Sequence, residues 1–294
     1  IGEHRPRAVC FVDYSGFNLR VAEALRRQGI SAKGGGGVRL LYYISPQIWA
    51  SRANRRFGMA RNLDALASIF PFERHIYGDT GLPVEFVGHP FGGDDYDPPV
   101  AFDPAGPVLL LPGSRRQAVA RIFPALLAAH RAAGERPAVV LYPSGEILGV
   151  LRELLPDPAS ARVSFAPAAA GRQAGAAVLT SSGTMSMHCA LAGIPGAIAY
   201  RIDPLTYLLA RWLVKVRYLG IANILLGEPM YPEYIQGAAT PKALGAELRQ
   251  ALHDPARLER TAAQAARLRE LLRQPAGRSA AAWVAGQLGA AEAR

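Results

Sequence analysis

The passage Leu179-Thr180-Ser181-Ser182-Gly183-Thr184-Met185-Ser186-Met187-His188 sets a turn of small and hydroxyl residues between an apolar run and a helical pattern. A strand that ends in such a turn and continues as a helix leaves backbone N–H groups aimed at one spot, where the helix dipole adds positive potential. Phosphate oxygens suit that spot. Ser182, Gly183 and Thr184 can donate to such a ligand, or the hydroxyls can do no more than cap the helix. A second turn of the same kind, Leu109-Leu110-Leu111-Pro112-Gly113-Ser114-Arg115, precedes it. Gly113 permits a sharp bend and the close approach of an N–H, and Ser114 adds a hydroxyl. Arg115 offers an always-charged fork to phosphate oxygens, or is an ordinary solvated arginine. Two such turns in one half of the chain point to a bound diphosphate, and so to a handler of a sugar nucleotide.

Other residues join this pattern more loosely. Tyr200-Arg201 closes another apolar run, and Asn223 and the segment Pro232-Glu233-Tyr234-Ile235-Gln236 follow it. Glu233 reads either as an acceptor for ribose hydroxyls or as a solvated surface carboxylate. Asp13 ends the first apolar run, so it can serve as a base at a strand's carboxyl end or cap the helix that follows. His89 follows another strand end and reads as a loop hydrogen-bonder rather than a catalyst. Residues 207–218 mix aromatic rings, among them Trp212, with three cations. That suits a helix lying on anionic lipid, or equally a core helix with a basic outer face.

The elements that must position these residues alternate. Strand-like runs are expected at 8–12, 38–44, 66–69, 84–87, 108–111, 138–142, 162–165, 176–179 and 196–200. Helices are expected at 17–28, 48–62, 117–133, 146–155, 184–192, 205–214 and beyond 241. Such alternation predicts an α/β fold with open, mostly parallel sheets, seen twice. The Gly-, Asp- and Pro-rich stretch 91–107 reads as a linker, which sets the expected domains at 1–100 and 101–294. Ligands of such sheets sit at the carboxyl ends of strands, where both turns fall.

Composition bounds the rest. The chain has 294 residues, half of them apolar, enough for two domains with cores of their own. Its 33 Lys and Arg against 23 Asp and Glu give a net charge of +10, suited to phosphorylated substrates or anionic lipid. The arginines are dispersed without interleaved aromatics, so no nucleic-acid partner is expected. The two cysteines, Cys10 and Cys189, lie in apolar runs and are expected in the core of a protein from a reducing compartment. No Cys/His spacing suggests a metal, and no cofactor is expected. The polar, basic start shows no secretory leader, and no apolar stretch is long enough to cross a bilayer, so a cytoplasmic location is expected.

With these residues in view, the chain resembles the lipid-A-disaccharide synthases. The matching stretches are Tyr42-Tyr43-Ile44-Ser45-Pro46-Gln47-Ile48-Trp49-Ala50, Pro71-Phe72-Glu73, Val87-Gly88-His89-Pro90, Pro112-Gly113-Ser114-Arg115 and Ser182-Gly183-Thr184. Tyr200-Arg201, Pro204-Leu205-Thr206-Tyr207, Leu213-Val214-Lys215, Asn223-Ile224-Leu225 and Pro232-Glu233 complete the series. The resemblance implies two Rossmann-like domains of the GT-B type, the N-terminal one incomplete, because the family has further strands and helices ahead of this point. It implies transfer of 2,3-diacylglucosamine from UDP-2,3-diacylglucosamine to 2,3-diacylglucosamine 1-phosphate, with inversion, release of UDP and no metal. A peripheral place on the inner membrane of a Gram-negative-type bacterium goes with it, and a homodimer is an open option. Carried over, Gly113, Ser114, Arg115, Ser182, Gly183, Thr184, Tyr200, Arg201, Asn223 and Glu233 would bind the UDP-sugar, and Asp13 would be the base. Three family carboxylates are replaced, at Gly16, Ala118 and His188. A catalytically silent paralogue that binds UDP-sugar or acylated phospho-sugar is therefore the alternative, and another GT-B enzyme of UDP-N-acetyl sugars, such as an epimerase, a more distant one.

Overall fold

A computed structural model of the chain describes all residues except 2, 5, 135, 204–206, 208–216 and 290–294. The described residues divide into two units, one of 1–96 with 272–289, the other of 97–203, 207 and 217–271.

In the first unit, β1 (Ala8–Val12), β2 (Arg39–Tyr43), β3 (Ala65–Ser68) and β4 (Val84–Phe86) form one sheet in that order, every pair parallel. Helices α1 (Ser15–Arg27), α2 (Arg55–Asn62) and the single turn α3 (Glu73–Ile76) lie between the strands in sequence. A strand's side chains alternate between faces, and a parallel sheet needs cover on both. Leu40, Tyr42 and Leu66 pack with Ala22, Leu25 and Met59 of α1 and α2. Their neighbours Leu41, Ala65 and Ala67 pack on Trp283. Trp283 comes from the helix Ala280–Gly289 and is buried. Arg278 grips Glu85 with two bonds of 2.7 and 2.6 Å, and Arg39 bonds Gln287. These contacts place 272–289 with the first unit, where the domain expectation of 101–294 had grouped it with the second.

β1 is the edge of this sheet, paired only with β2, and its burial alternates weakly. Cys10 is therefore exposed, contrary to the expectation of a core residue, whereas Cys189 is buried. An apolar strand reads the same at an edge as at a sheet centre. The carboxyl ends of β1 and β2 also carry strain. Asp13, Tyr14 and Ile44 have φ of 45°, 42° and 65°, and a β-branched residue rarely adopts that region. Tyr42 Oη and the Asn18 amide both donate to the Asp13 carbonyl and hold the bend.

In the second unit the order is β12-β11-β10-β6-β7-β8, again all parallel. The strands are β6 (Val108–Leu111), β7 (Ala138–Tyr142), β8 (Val163–Pro167), β10 (Ala177–Thr180), β11 (Gly196–Tyr200) and β12 (Glu233–Ile235). Their helices are α4 (Arg116–Ala133), α5 (Gly145–Leu154), α6 (Thr184–Leu191), α7 (Ile221–Leu226), α8 (Pro241–His253) and α9 (Pro255–Leu272). The chain runs outward from β6 to β8, then returns to lay β10 beside β6 and runs outward the other way. Val119, Ile122, Phe123 and Leu126 of α4 meet Leu244 and Leu248 of α8 in the core under the sheet. Arg257 of α9, buried against Glu247 at 3.2 Å, also bonds the carbonyl of Gly196 and so fixes the start of β11. The stretch 91–107, expected as linker, contains β5 (Val100–Phe102), which pairs with β9 (Gln173–Gly175). The expected helix at 48–62 is confined to α2, and the one at 205–214 lies outside the described residues except Tyr207.

Glu73 is the most exceptional buried group of the first unit. It is fully buried, and its carboxylate accepts from Trp49 Nε1 at 3.3 Å and Phe70 N at 3.1 Å. Burial outweighs these bonds and raises its pKa from 4.5 to about 7. The native state thus holds this proton more tightly than the unfolded chain. The stabilisation is complete below pH 4.5 and is lost as pH rises through about 7. Comparing urea melts from pH 4.5 to 8, the wild type should lose roughly 3 kcal/mol more than Glu73→Gln, from ~1.4 kcal/mol per pKa unit.

Candidate functional site

Sheet order decides where a ligand can sit. Between β6 and β10 the connections diverge to opposite sides, which opens a crevice at their carboxyl ends. Both turns singled out in the sequence lie there. Leu111 pairs with Thr180, and Ser181 N donates to the Leu111 carbonyl at 2.8 Å, so the turns leave the sheet side by side. Gly113 has φ +110°, and a Cβ built on it would lie 2.9 Å from Ser181 Oγ. Glycine is required twice over, by its backbone and by its neighbour.

Two helices start from these turns, α4 after Arg115 and α6 after Gly183. Neither has a side-chain cap, and neither has an acid in its first turn. The first N–H groups of both helices are thus left for a ligand, with both dipoles positive at that end. A cavity of about 690 Å³ opens here. Gly113, Ser114 and Arg115 line it from one turn, Ser182, Gly183 and Thr184 from the other, and Tyr200 and Arg201 from the end of β11. These eight expected residues therefore form one wall.

Residues that the motifs did not show complete it. Gln117, Ala118 and Arg121 occupy one face of α4 at i, i+1 and i+4, and Arg116 opens that helix. Four guanidiniums, those of Arg115, Arg116, Arg121 and Arg201, then face one acid, Asp203. Arg121 lies 3.8 Å from Asp203 and Arg116 lies 3.9 Å from Glu153, both exposed pairs of the weak kind. Arg201 is anchored by a bond to the Ala239 carbonyl, and the Gln236 amide exchanges two 3.0 Å bonds with Ile202. A further hollow of about 530 Å³ shares Arg121, Arg201 and Ile202 with the first and extends to Tyr207 and Gln236. Helical spacing from the phosphate-type turn was the available cue for Arg121.

Asn223 and Glu233 do not line these hollows, and this corrects their expected place. Glu233 Oε1 accepts from Gly220 N at 2.9 Å and from the Asn223 amide at 2.8 Å, while Oε2 accepts from Leu219 N at 2.8 Å. Asn223, fully buried, also exchanges bonds with the backbone of Tyr231. Glu233 thus satisfies the amino end of α7. His188 is also absent from the wall. Partly buried on α6, its imidazole has a pKa lowered by desolvation.

Asp13 belongs to the first unit. Its side chain is exposed and does not cap α1, whose N-cap is Tyr14. Gly16 follows in the first turn of α1, and a Cβ there would meet nothing within 4 Å. His89 does bond within its loop, Nδ1 accepting from Phe91 N at 3.0 Å while the ring packs on Phe70. Trp212 and its neighbours in 208–216, with Pro204, Leu205 and Thr206, lie outside the described residues. Among the described residues no group of three or more His, Cys, Asp or Glu is arranged to hold a metal, and no helix is long and apolar enough to cross a membrane.

Two parallel sheets, one with a reversed strand order and a crevice at its strands' carboxyl ends, define an α/β protein of the GT-B type. Solved structures agree. A spinosyn rhamnosyltransferase complexed with thymidine diphosphate matches with a TM-score of 0.53 at 17% identity, over 96% of this chain and 73% of that one. A Listeria monocytogenes protein assigned as a UDP-N-acetylglucosamine 2-epimerase matches with a TM-score of 0.55 at 12% identity, over 88% of this chain and 69% of that one. The family model for lipid-A-disaccharide synthetase matches residues 1–286. The lipid-A-disaccharide synthase of Geobacter metallireducens is 37% identical over 91% of this chain and 71% of its own length. The chain belongs to the lipid-A-disaccharide synthase family.

The contact between the turns is open to a direct check. Gly113→Ala should lower stability by about 1–3 kcal/mol, read by chemical denaturation, through left-handed strain and the clash with Ser181 Oγ. Adding Ser181→Gly should recover only part of this, because it relieves the clash and leaves the strain.

Proposed function

We propose that the chain is a glycosyltransferase that moves 2,3-diacylglucosamine from UDP-2,3-diacylglucosamine to the hydroxyl of 2,3-diacylglucosamine 1-phosphate, releasing UDP, in lipid A biosynthesis. One observation carries this reading: two uncapped helix ends and four arginines meet in a single hollow at the strand-order reversal. A diphosphate on Gly113, Ser114, Arg115, Ser182, Gly183 and Thr184 accepts their N–H and hydroxyl groups. Arg201 and Tyr200 extend the contact toward the hollow at Gln236, which has room for a nucleoside.

The chemistry follows from what such a site stabilises. The acceptor oxygen bonds to the anomeric carbon from the face opposite UDP, the bond from that carbon to the diphosphate oxygen breaks, and the configuration inverts. Negative charge grows on the departing UDP, where fixed N–H groups and guanidiniums already point. The proton of the acceptor hydroxyl goes to a base, and Asp13 is the residue we assign to it. The family, and the net charge of +10, support a peripheral place on the cytoplasmic face of the inner membrane. A second reading, binding without transfer, is favoured by Gly16, Ala118 and His188 standing where the family resemblance implies carboxylates.

Supplying both acylated sugars and measuring disaccharide and UDP decides between the two. Formation of both products supports transfer, whereas UDP binding by calorimetry with no product supports the silent reading. Arg115→Ala should weaken UDP about 10- to 100-fold, the loss of a charge-assisted fork. If the chain is active, Gly16→Asp should raise kcat, because space is open for the side chain. The same change should stabilise α1 by about 0.5 kcal/mol, since its first turn holds no acid.

A further inference from the structure

A separate hollow of about 250 Å³ lies at the other end of the second unit's sheet from the crevice. It is lined by Val108, the first residue of β6, by His130 and Ala133 from the last turn of α4, and by Leu248, Leu252 and His253 from the end of α8. Its frame is fixed. α4 and α8 touch at Gly245, where a Cβ would stand 3.1 Å from the Ala129 carbonyl oxygen. Arg249 donates to the Ala132 carbonyl at 2.6 Å. Val108 and Leu248 are fully buried. Aliphatic walls set in advance by packing, with few polar groups among them, are the usual form of a small-molecule site.

One polar atom here is unsatisfied. His130 is 3% exposed, and its Nε2 lies 2.6 Å from the carbonyl oxygen of Arg136. A carbonyl only accepts, so Nε2 carries the hydrogen and Nδ1 of the neutral ring keeps a lone pair. Nδ1 is buried and has no hydrogen-bond partner. A buried acceptor without a donor has given up its bond to water and received nothing in return. Pure hydrocarbon in the hollow would leave it so, whereas an O–H group would satisfy it. Among the described residues no acid lines the hollow, so a cation finds no counter-charge there. Two histidines also fall short of the ligand set that holds a metal ion. The volume exceeds the ~150 Å³ that accommodates a benzene ring.

We infer that this hollow binds a small apolar molecule carrying one hydroxyl, of the size of phenol or cresol. The hydroxyl donates to His130 Nδ1, and Val108, Leu248 and Leu252 enclose the hydrocarbon. This site needs no part of the nucleotide reading. α4 spans the distance between the two, from Arg116 in the crevice wall to His130 here.

Calorimetry on the full chain with phenol, anisole and toluene tests it, since the three share a ring and only phenol has a donor. Phenol should bind about tenfold tighter than anisole, the worth of satisfying a buried acceptor. His130→Leu should remove that preference. Leu252→Trp should fill the hollow and block all three ligands. Nitrogen NMR of the wild type gives a readout that needs no variant: the His130 Nδ1 resonance should shift when phenol is added and stay when toluene is added. The inference is overturned if phenol binds less than about threefold tighter than anisole, a difference too small for a buried hydrogen bond. It is also overturned if Leu252→Trp binds phenol like the wild type, or if Nδ1 does not respond. A free protein whose Nδ1 already gives the resonance of a hydrogen-bonded nitrogen has a trapped water as the partner, which overturns it too.

Discussion

The second unit depends on one close approach, the backbone of Gly113 against Ser181 at the point where β6 and β10 run together. Parallel strands lie under 5 Å apart, so turns leaving adjacent carboxyl ends must cross at atomic contact. A side chain at 113 would push them apart. With glycine there, two helices begin next to each other and direct their free N–H groups and dipoles at the same volume. Repulsion between two positive ends is the consequence, and the four arginines in the wall add to it. An anion placed in that volume would relieve this repulsion. Sheet order, turn chemistry and electrostatics therefore express a single constraint.

The first unit is organised by a different requirement, cover for both faces of a four-stranded parallel sheet. α1 and α2 cover one, and Trp283 from the distant end of the chain helps to cover the other. Backbone strain gathers at the carboxyl ends of its first two strands, at Asp13, Tyr14 and Ile44, and the buried carboxyl of Glu73 lies just after the third. Strained backbone and buried carboxyls are costly, and both are more frequent at functional sites than elsewhere. Asp13 belongs to this same unit.

Asn223 and Glu233 show how residues of types that serve nucleotide sites can also carry a structural task. Both follow a strand that ends in site residues, and both types serve nucleotide sites. The turn at Leu219 and Gly220 needs acceptors for its N–H groups, and Glu233 supplies them. Polar groups in a buried turn must be satisfied, and here that requirement took precedence. The result still serves the site at one remove, since β12 carries Ile235, paired with Tyr200 beside Arg201.

Much of this was legible in the residues themselves. Apolar runs at 8–12, 108–111, 138–142 and 196–200 became strands with those bounds, because buried parallel strands are continuous apolar segments. Gly113 with Arg115, and Gly183 with its hydroxyl neighbours, were readable as turns from a strand into a helix from local chemistry alone. Strand order was not readable, and it alone made the two turns neighbours. Arg121 entered the wall through the phase of α4, Cys10 came to the surface because β1 is an edge, and Trp283 joined a sheet begun far earlier in the chain. Local sequence determines backbone preference and the type of each donor and acceptor. Which elements become neighbours depends on contacts distant in sequence, and only the folded sheets decide those.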